Sequence, residues 1–326
     1  MRLVTFVYLP LGIILLILIV WQIDLPEVAS LLLGINWWII PILALGQFAF
    51  MLDVWVWQLA LCRVRPSAIW SYRLWKLRMV GEAYNNSTPL GTIGGEPLKA
   101  LLLKTHYGIG YRRGIASLTV ARTCMIIGLL PLLAVGLICI LTEPKLPSDY
   151  AATATAGFAA MTTFAALLFL AQRFRCFSIA GWGLTWARRH NRARLWISQI
   201  RNIEDLLVRF YTLQKSRFAL AVLLASLNWI CGAVEIWIVL NVVDGPASWT
   251  DAFIIESIVQ FLRAGIFFVP AGVGIQEGAF FLLGTALTGN PAIGIVVGGV
   301  RRIRELIWIM WGLAIGWRYS LAPAAG

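Results

Sequence analysis

Apolar stretches of about 20 residues, the length that crosses roughly 30 Å of hydrocarbon, recur from one end of this chain to the other. They run over Leu3–Trp21, Trp37–Leu61, Ile115–Leu141, Tyr150–Ala171, Phe218–Asn241 and Ala292–Tyr319. Of the 326 residues, 60% are hydrophobic and 13% charged, which leaves a water-soluble globule too little polar surface to cover itself. The expected fold class is an all-α polytopic membrane protein with about six full transmembrane helices, forming one integral membrane domain over residues 1–326. The first stretch is long enough to span, and Asp24-Leu-Pro-Glu27 after it makes a poor cleavage site, so it reads as a helix and not a removed leader.

Charge between the spans sets orientation, because cytoplasmic loops carry the excess of Lys and Arg. Residues 63–113 and 173–217 are strongly basic, whereas the other connections carry Asp24, Glu27, Glu143, Asp149, Asp244 and Asp251. Both basic loops, and both termini, are therefore expected on the cytoplasmic side. The net charge of +12 then speaks for topology and anionic headgroups, not for nucleic acid. Within the second basic loop, Trp196, Ile200, Ile203, Leu207 and Phe210 form an apolar stripe. It predicts an amphipathic helix over 195–212 lying on the cytoplasmic leaflet.

Two stretches do not read as simple spans. Residues 81–105 are interrupted by Pro89, Gly91, Gly94, Gly95 and Pro97 with basic flanks on both sides, which predicts a segment that dips into the membrane and returns. Residues 251–289 break at Pro270-Ala-Gly272-Val-Gly274 and leave too few residues before Asn290-Pro291 to span. A second re-entrant hairpin, entering from the opposite side, is the simpler reading. The alternative runs Ala279 to Val300 as a span and leads toward eight spans.

Aligned on Pro89 and Pro270, the two stretches share Gly two residues on (Gly91, Gly272) and Glu seven residues on (Glu96, Glu277). Oppositely entering repeats of this kind build substrate sites near the bilayer midplane, and broken backbone at that depth survives only where it is buried in protein or lines a wet cavity. The alternative reading makes both breaks tight turns with nothing bound. Ionisable residues favour a site, being costly in hydrocarbon: Glu96 and Glu277 lie beside the breaks, with Arg122, Arg263, Arg301, Arg304 and Glu305 in or near flanking helices. Carboxylate and arginine could form a gate, or buried ion pairs that hold the hairpins. Arg301, Arg304 and Glu305 share a helical face. Asp53 and Glu235 are isolated acids that helix-to-helix hydrogen bonds explain equally well, and Gly294-x-x-x-Gly298 and Gly312-x-x-x-Gly316 read as packing faces.

Catalytic machinery is thin. His106 and His190 are the two histidines, neither in a zinc-binding pattern, and no Walker loop, nucleophile elbow or Cys-x-x-Cys pair occurs. No metal and no cofactor are expected.

Asn85-Asn86-x-x-Pro89 followed by Gly94-Gly95-Glu96-x-x-Lys99, then Arg122, then Pro270-x-Gly272-x-Gly274-x-x-Glu277 resemble the lysylphosphatidylglycerol synthase transmembrane family of flippase-like domains. The resemblance covers essentially the whole chain. It implies a bacterial or archaeal inner-membrane protein that moves or handles lipids, with Asn85, Asn86, Pro89, Gly94, Gly95, Glu96, Lys99, Arg122, Pro270, Gly272, Gly274 and Glu277 at the site. Many relatives carry an acid immediately before the helix arginine. Here that place is Ala121, so a partner for Arg122 must come from elsewhere. Bifunctional relatives continue into a soluble aminoacyl-transferase domain, which this sequence lacks, so synthesis of lysylphosphatidylglycerol is not expected of it. The expected function is lipid translocation through a polar cavity between the hairpins, with Arg122, Arg263, Arg301 and Arg304 balancing an anionic headgroup. The expected partner is an anionic or lipid-linked membrane lipid, alongside possible lipid-biosynthesis enzymes. An integral membrane enzyme and a non-transporting scaffold of lipid synthesis are the alternatives.

Overall fold

The computed structural model describes residues 25–62, 64–87, 95–144, 148–183, 191–243, 247–265 and 274–320. Every regular element among them is helical: α1 (Leu25–Gly34), α2 (Ile39–Ala60), α3 (Ala68–Ser87), α4 (Gly95–Tyr107), α5 (Tyr111–Thr142), α6 (Ser148–Arg173), α7 (Cys176–Gly183), α8 (Asn191–Leu213), α9 (Lys215–Val243), α10 (Trp249–Gly265), α11 (Ile275–Thr288) and α12 (Pro291–Ser320). The first apolar stretch and both Pro-Gly breaks, with Pro89, Gly94, Pro270 and Gly272, lie outside the described residues.

Among the described residues, four helices are long and apolar enough to cross a bilayer: Asn36–Ala60, Tyr111–Thr142, Ala151–Arg173 and Lys215–Val243. They coincide with four of the expected spans. Only 11% of the α6 window is buried, and Phe164, Leu167 and Leu170 point outward; an apolar face of that kind is stable against lipid tails and not against water. The last expected span forms as one 30-residue helix, α12, with Arg301, Arg302, Arg304 and Glu305 along its length. Ala279 to Val300 does not form one helix. α11 ends at Thr288, Gly289 takes a left-handed conformation (φ 77°), and Pro291 opens α12, where a missing N–H costs nothing.

The first broken segment is longer than 81–105. Its leading arm, α3, begins at Ala68, because the basic residues that read as loop are satisfied within the helix bundle. Arg73 lies over the Trp70 and Tyr107 rings, Lys76 over Tyr72, and Arg78 over Phe50, contacts that shelter a cation on an aromatic face.

The offset that places Pro89 on Pro270 also places the start of α3 on that of α10, and the starts of α4 and α5 within one residue of those of α11 and α12. Packing follows the same correspondence. α2 lies against its counterpart α9, while α3 packs on α12 as α10 packs on α5, the exchange expected of two sets of four helices related by a twofold axis. Two cores form and α2 and α9 reach into both: Trp57, Leu74, Leu103, Cys124, Ala225 and Phe210 of α8 lie in one, Ile42, Ile236, Val259, Phe280 and Val296 in the other. The glycine pairs of α12 serve two neighbours. Gly294 and Gly298 meet Phe280 of α11, whereas Gly312 and Gly316 meet Met79, Ala83 and Val80 of α3.

The amphipathic helix forms as α8, and the later part of its stripe is covered by protein, with Ile203 packed on the first core, whereas Ile200 is exposed. Leu207, Phe210 and Tyr211 are buried in the first core, and α8 packs on α5, α6, α7 and α9. An apolar stripe gains as much from protein as from lipid, and here protein is the nearer partner. Glu204 is buried beneath α8 and accepts the Phe177 and Ser178 N–H groups at 3.0 and 3.2 Å. It thereby caps α7 where helix N-termini favour negative charge.

Candidate functional site

Each leading arm sends ionisable residues into a network with the glutamate that follows its break. In the first set, Arg78, Glu82 and Asn85 lie on one face of α3 at i, i+4 and i+7 spacing. Lys99 of α4 reaches back between them, its Nζ 3.0 Å from Glu96 and 3.3 Å from Glu82. Its stem lies over Gly81, where any side chain would collide with it, and Lys99 is wholly buried. Arg122 of α5 donates to the same Glu96 oxygen from Nη2 at 2.8 Å and Nε at 3.2 Å. Arg78 pairs with Glu82 at 3.5 Å and with Asp53 of α2. Three carboxylates thus face three cations, the balance that buried charge requires.

The start of α4 is fixed against α3 by one contact. The Gly95 N–H donates to Asn85 Oδ1 at 2.5 Å, and a Cβ at Gly95 would run into the Gly81 carbonyl and Asn85 itself. Only glycine permits this approach.

The second set repeats the plan. Gly274 holds φ 82°, a conformation open to glycine and strained for other residues, and so turns the chain into α11. The Glu277 carboxylate accepts the Gly274 N–H at 2.8 Å with one oxygen. Its other oxygen accepts Arg302 Nε at 2.5 Å. Arg302 continues to Glu305 at 2.8 Å, and Glu305 to Arg263 at 3.5 Å. Deeper in the core, Arg301 pairs with Glu256 at 2.7 Å and lies over Phe280, both partners almost fully buried. Arg304 pairs with Glu235 of α9.

Each glutamate after a break is therefore held by an arginine of the next long helix, Arg122 for Glu96 and Arg302 for Glu277. This supplies the partner that Ala121 could not. Glu82 and Arg263, at matching distances before the two prolines, are tied to those same glutamates, through Lys99 in one set and through Arg302 and Glu305 in the other. Arg302 is the residue the sequence reading passed over. Its signal was present: it follows Glu277 by 25 positions, as Arg122 follows Glu96 by 26. Arg301, Arg304 and Glu305 share a face by spacing, yet they part between two neighbours, Arg301 and Glu305 pairing with α10 and Arg304 with α9. Asp53 and Glu235 are paired with arginines across helices. Asn86 has no described side chain.

Unused hydrogen-bonding capacity remains at both networks, where buried polar groups are normally satisfied. In the first, Glu96 Oε2, Asn85 Nδ2 and Arg78 Nε have no partner among the described residues. In the second set, Arg301 Nε and Nη1 and both amide atoms of Gln276 have none among the described residues. Arg122 is 44% exposed along its side chain, in the middle of an apolar helix where a guanidinium facing bare lipid would be costly.

The sequence model of the family described as Lysylphosphatidylglycerol synthase TM region matches residues 4–312. No curated protein and no solved structure matches the chain.

Proposed function

The chain belongs to the lysylphosphatidylglycerol synthase TM family, and from that premise we propose that it is a lipid translocase that passes an anionic headgroup between two charge networks while the tails stay in the bilayer. The observation that carries this reading is the repeated Glu–Arg pair beside each helix break, Glu96–Arg122 and Glu277–Arg302. Arg122 lies about 17 Å from the start of α5, and Arg302 about 17 Å from the start of α12, at 1.5 Å per residue. With the α3–α4 hairpin entering from the cytoplasmic face and the α10–α11 hairpin from the other, both arginines sit near the middle of a bilayer with a core of about 30 Å. There an anionic headgroup can exchange with a carboxylate for the guanidinium, and each carboxylate left behind still has a second cation or a helix N-terminus to hold it.

Arg122 and the unpartnered groups of Glu96, Asn85 and Arg78 receive the headgroup from one side. The Arg302 network receives it from the other, and the small residues of α12 let the two helix sets slide against each other. Family membership supports a lipid as the cargo and the inner membrane of a bacterium or archaeon as the setting. The test is movement of a fluorescent anionic phospholipid between leaflets of proteoliposomes. The protein should accelerate it well beyond protein-free vesicles; folded protein that moves no anionic or lipid-linked probe would sink the proposal and favour an enzyme or scaffold.

A further inference from the structure

The first charge network is neutral as a whole: Asp53, Glu82 and Glu96 face Arg78, Lys99 and Arg122. The second is neutral too, with Glu277 and Glu305 against Arg263 and Arg302. The pairs beside it, Arg301–Glu256 and Arg304–Glu235, cancel separately. The break segments 88–94 and 266–273 contain no ionisable residue in their sequence. Among the described residues, neither network holds a cation in reserve for an anionic guest.

The member of the first network that a guest meets is Arg122, 44% exposed, beside Glu96 at 18%. Toward Glu96, α5 brings Arg122, its own helix brings Lys99, and α3 brings Glu82 on that same Lys99, with Arg78 behind it. Glu96 Oε1 accepts Lys99 Nζ and both donors of Arg122. An anion that takes the guanidinium therefore leaves Glu96 with Lys99 alone, which Glu82 shares at 3.3 Å. Three carboxylates and the anion then face three cations. Uncompensated charge is what a buried network tolerates least, and a carboxylate relieves it by binding a proton.

We propose that the proton is a co-substrate of this protein: each anion that displaces Glu96 from Arg122 brings one proton, which binds the Glu96 carboxylate. The proton comes from the water that admits the headgroup, and the O–H it forms can donate to the anion. When the anion leaves, the guanidinium returns to Glu96, that O–H breaks, and the proton departs with the anion. The second network then receives both. There α12 brings Arg302 and Glu305 toward Glu277, and α10 brings Arg263 through Glu305, while Glu256 of α10 is taken by Arg301. An anion on Arg302 frees Glu277 to take the proton as Glu96 did. Anion and proton move together, no net charge crosses the bilayer, and a pH gradient sets the direction. Coupled transport rests on the translocase reading of the same site; proton uptake on binding does not need transport.

The first test needs no transport. Short-chain phosphatidylglycerol, whose phosphodiester stays ionised throughout, is added to the full chain in neutral detergent and weak buffer with a pH indicator. About one proton should be taken up per lipid bound, and affinity should fall about tenfold per unit rise between about pH 6 and pH 8. The double variant Glu96→Gln, Glu277→Gln should bind with no proton uptake and an affinity indifferent to pH. Binding by the parent without proton uptake, or the same uptake by the folded double variant, would overturn the proposal. The second test uses phosphatidylcholine proteoliposomes with fluorescent phosphatidylglycerol and the membrane potential clamped. A pH difference of about one unit should shift the leaflet ratio about tenfold toward the alkaline side. Without a pH difference, an imposed potential should shift nothing. Transfer that follows the potential and ignores pH removes the proton and keeps the translocase. Proton uptake on binding without transfer removes the translocase and keeps the proton site, and folded protein that binds no lipid removes both.

Discussion

The Glu277 carboxylate is shared between a helix terminus and an arginine, one oxygen on the Gly274 N–H at 2.8 Å and the other on Arg302 Nε at 2.5 Å. The first contact holds the chain as it enters α11; the second ties α11 to α12. Glutamine can keep the first and cannot keep the ion pair. Glu277→Gln is therefore expected to remain folded, with a loss of about 1 kcal/mol, whereas Glu277→Ala loses the cap as well and a further ~1 kcal/mol. Thermal unfolding in detergent checks the order. Equal midpoints for the two variants would contradict the capping role.

Arg301 and Arg302 are adjacent in sequence and differ in what they leave behind. Replacing Arg301 by Met strands Glu256, 1% exposed, in the core, a change that costs about 3–5 kcal/mol. Replacing Arg302 by Met leaves Glu277 on its backbone N–H and Glu305 with Arg263, at a cost below about 2 kcal/mol. Arg301→Met should fail to give monodisperse protein and Arg302→Met should give it without transfer activity. The reverse pattern in size-exclusion profiles and transfer rates would exchange their structural and functional roles.

Gly95 has no room for a methyl group between Asn85 and the Gly81 carbonyl. Gly95→Ala should push α4 away from α3, at about 1–3 kcal/mol, and loosen Lys99 from Glu82. The expected readout is faster hydrogen exchange over 95–107 with 111–142 unchanged. Protection unchanged over both would show that the close approach carries no strain.

Deleting α8 is a poor test of a scaffold role, because Leu207, Phe210 and Tyr211 belong to the first core. Its exposed cations, Arg201 and Arg209, offer a cleaner one. Arg201→Gln with Arg209→Gln should leave stability and lipid transfer unchanged. Loss of transfer from folded protein would place the basic surface in the mechanism.

Four of the apolar spans and the offset that relates the two helix sets were legible in the sequence because length, hydropathy and helix breakers act locally. α3 was cut short because Arg73, Lys76 and Arg78 look like loop until Trp70, Tyr72, Tyr107 and Phe50 are seen beneath them. The stripe of α8 was found but not the protein core that takes up Leu207 and Phe210, since an amphipathic pattern names a face and not what covers it. Arg302 escaped because helix-face arithmetic groups 301, 304 and 305, whereas the glutamate that needs it arrives on α11 from the neighbouring side. Which arginine meets which acid is a property of packing between distant segments, and spacing along one helix does not contain it.

The account turns on Glu96 and Glu277 acting together. In proteoliposomes that report anionic lipid leaflet by leaflet, the double variant Glu96→Gln, Glu277→Gln should insert, remain folded and move lipid no faster than protein-free vesicles. Transfer at the parent rate by that folded double variant would contradict a path between the two networks.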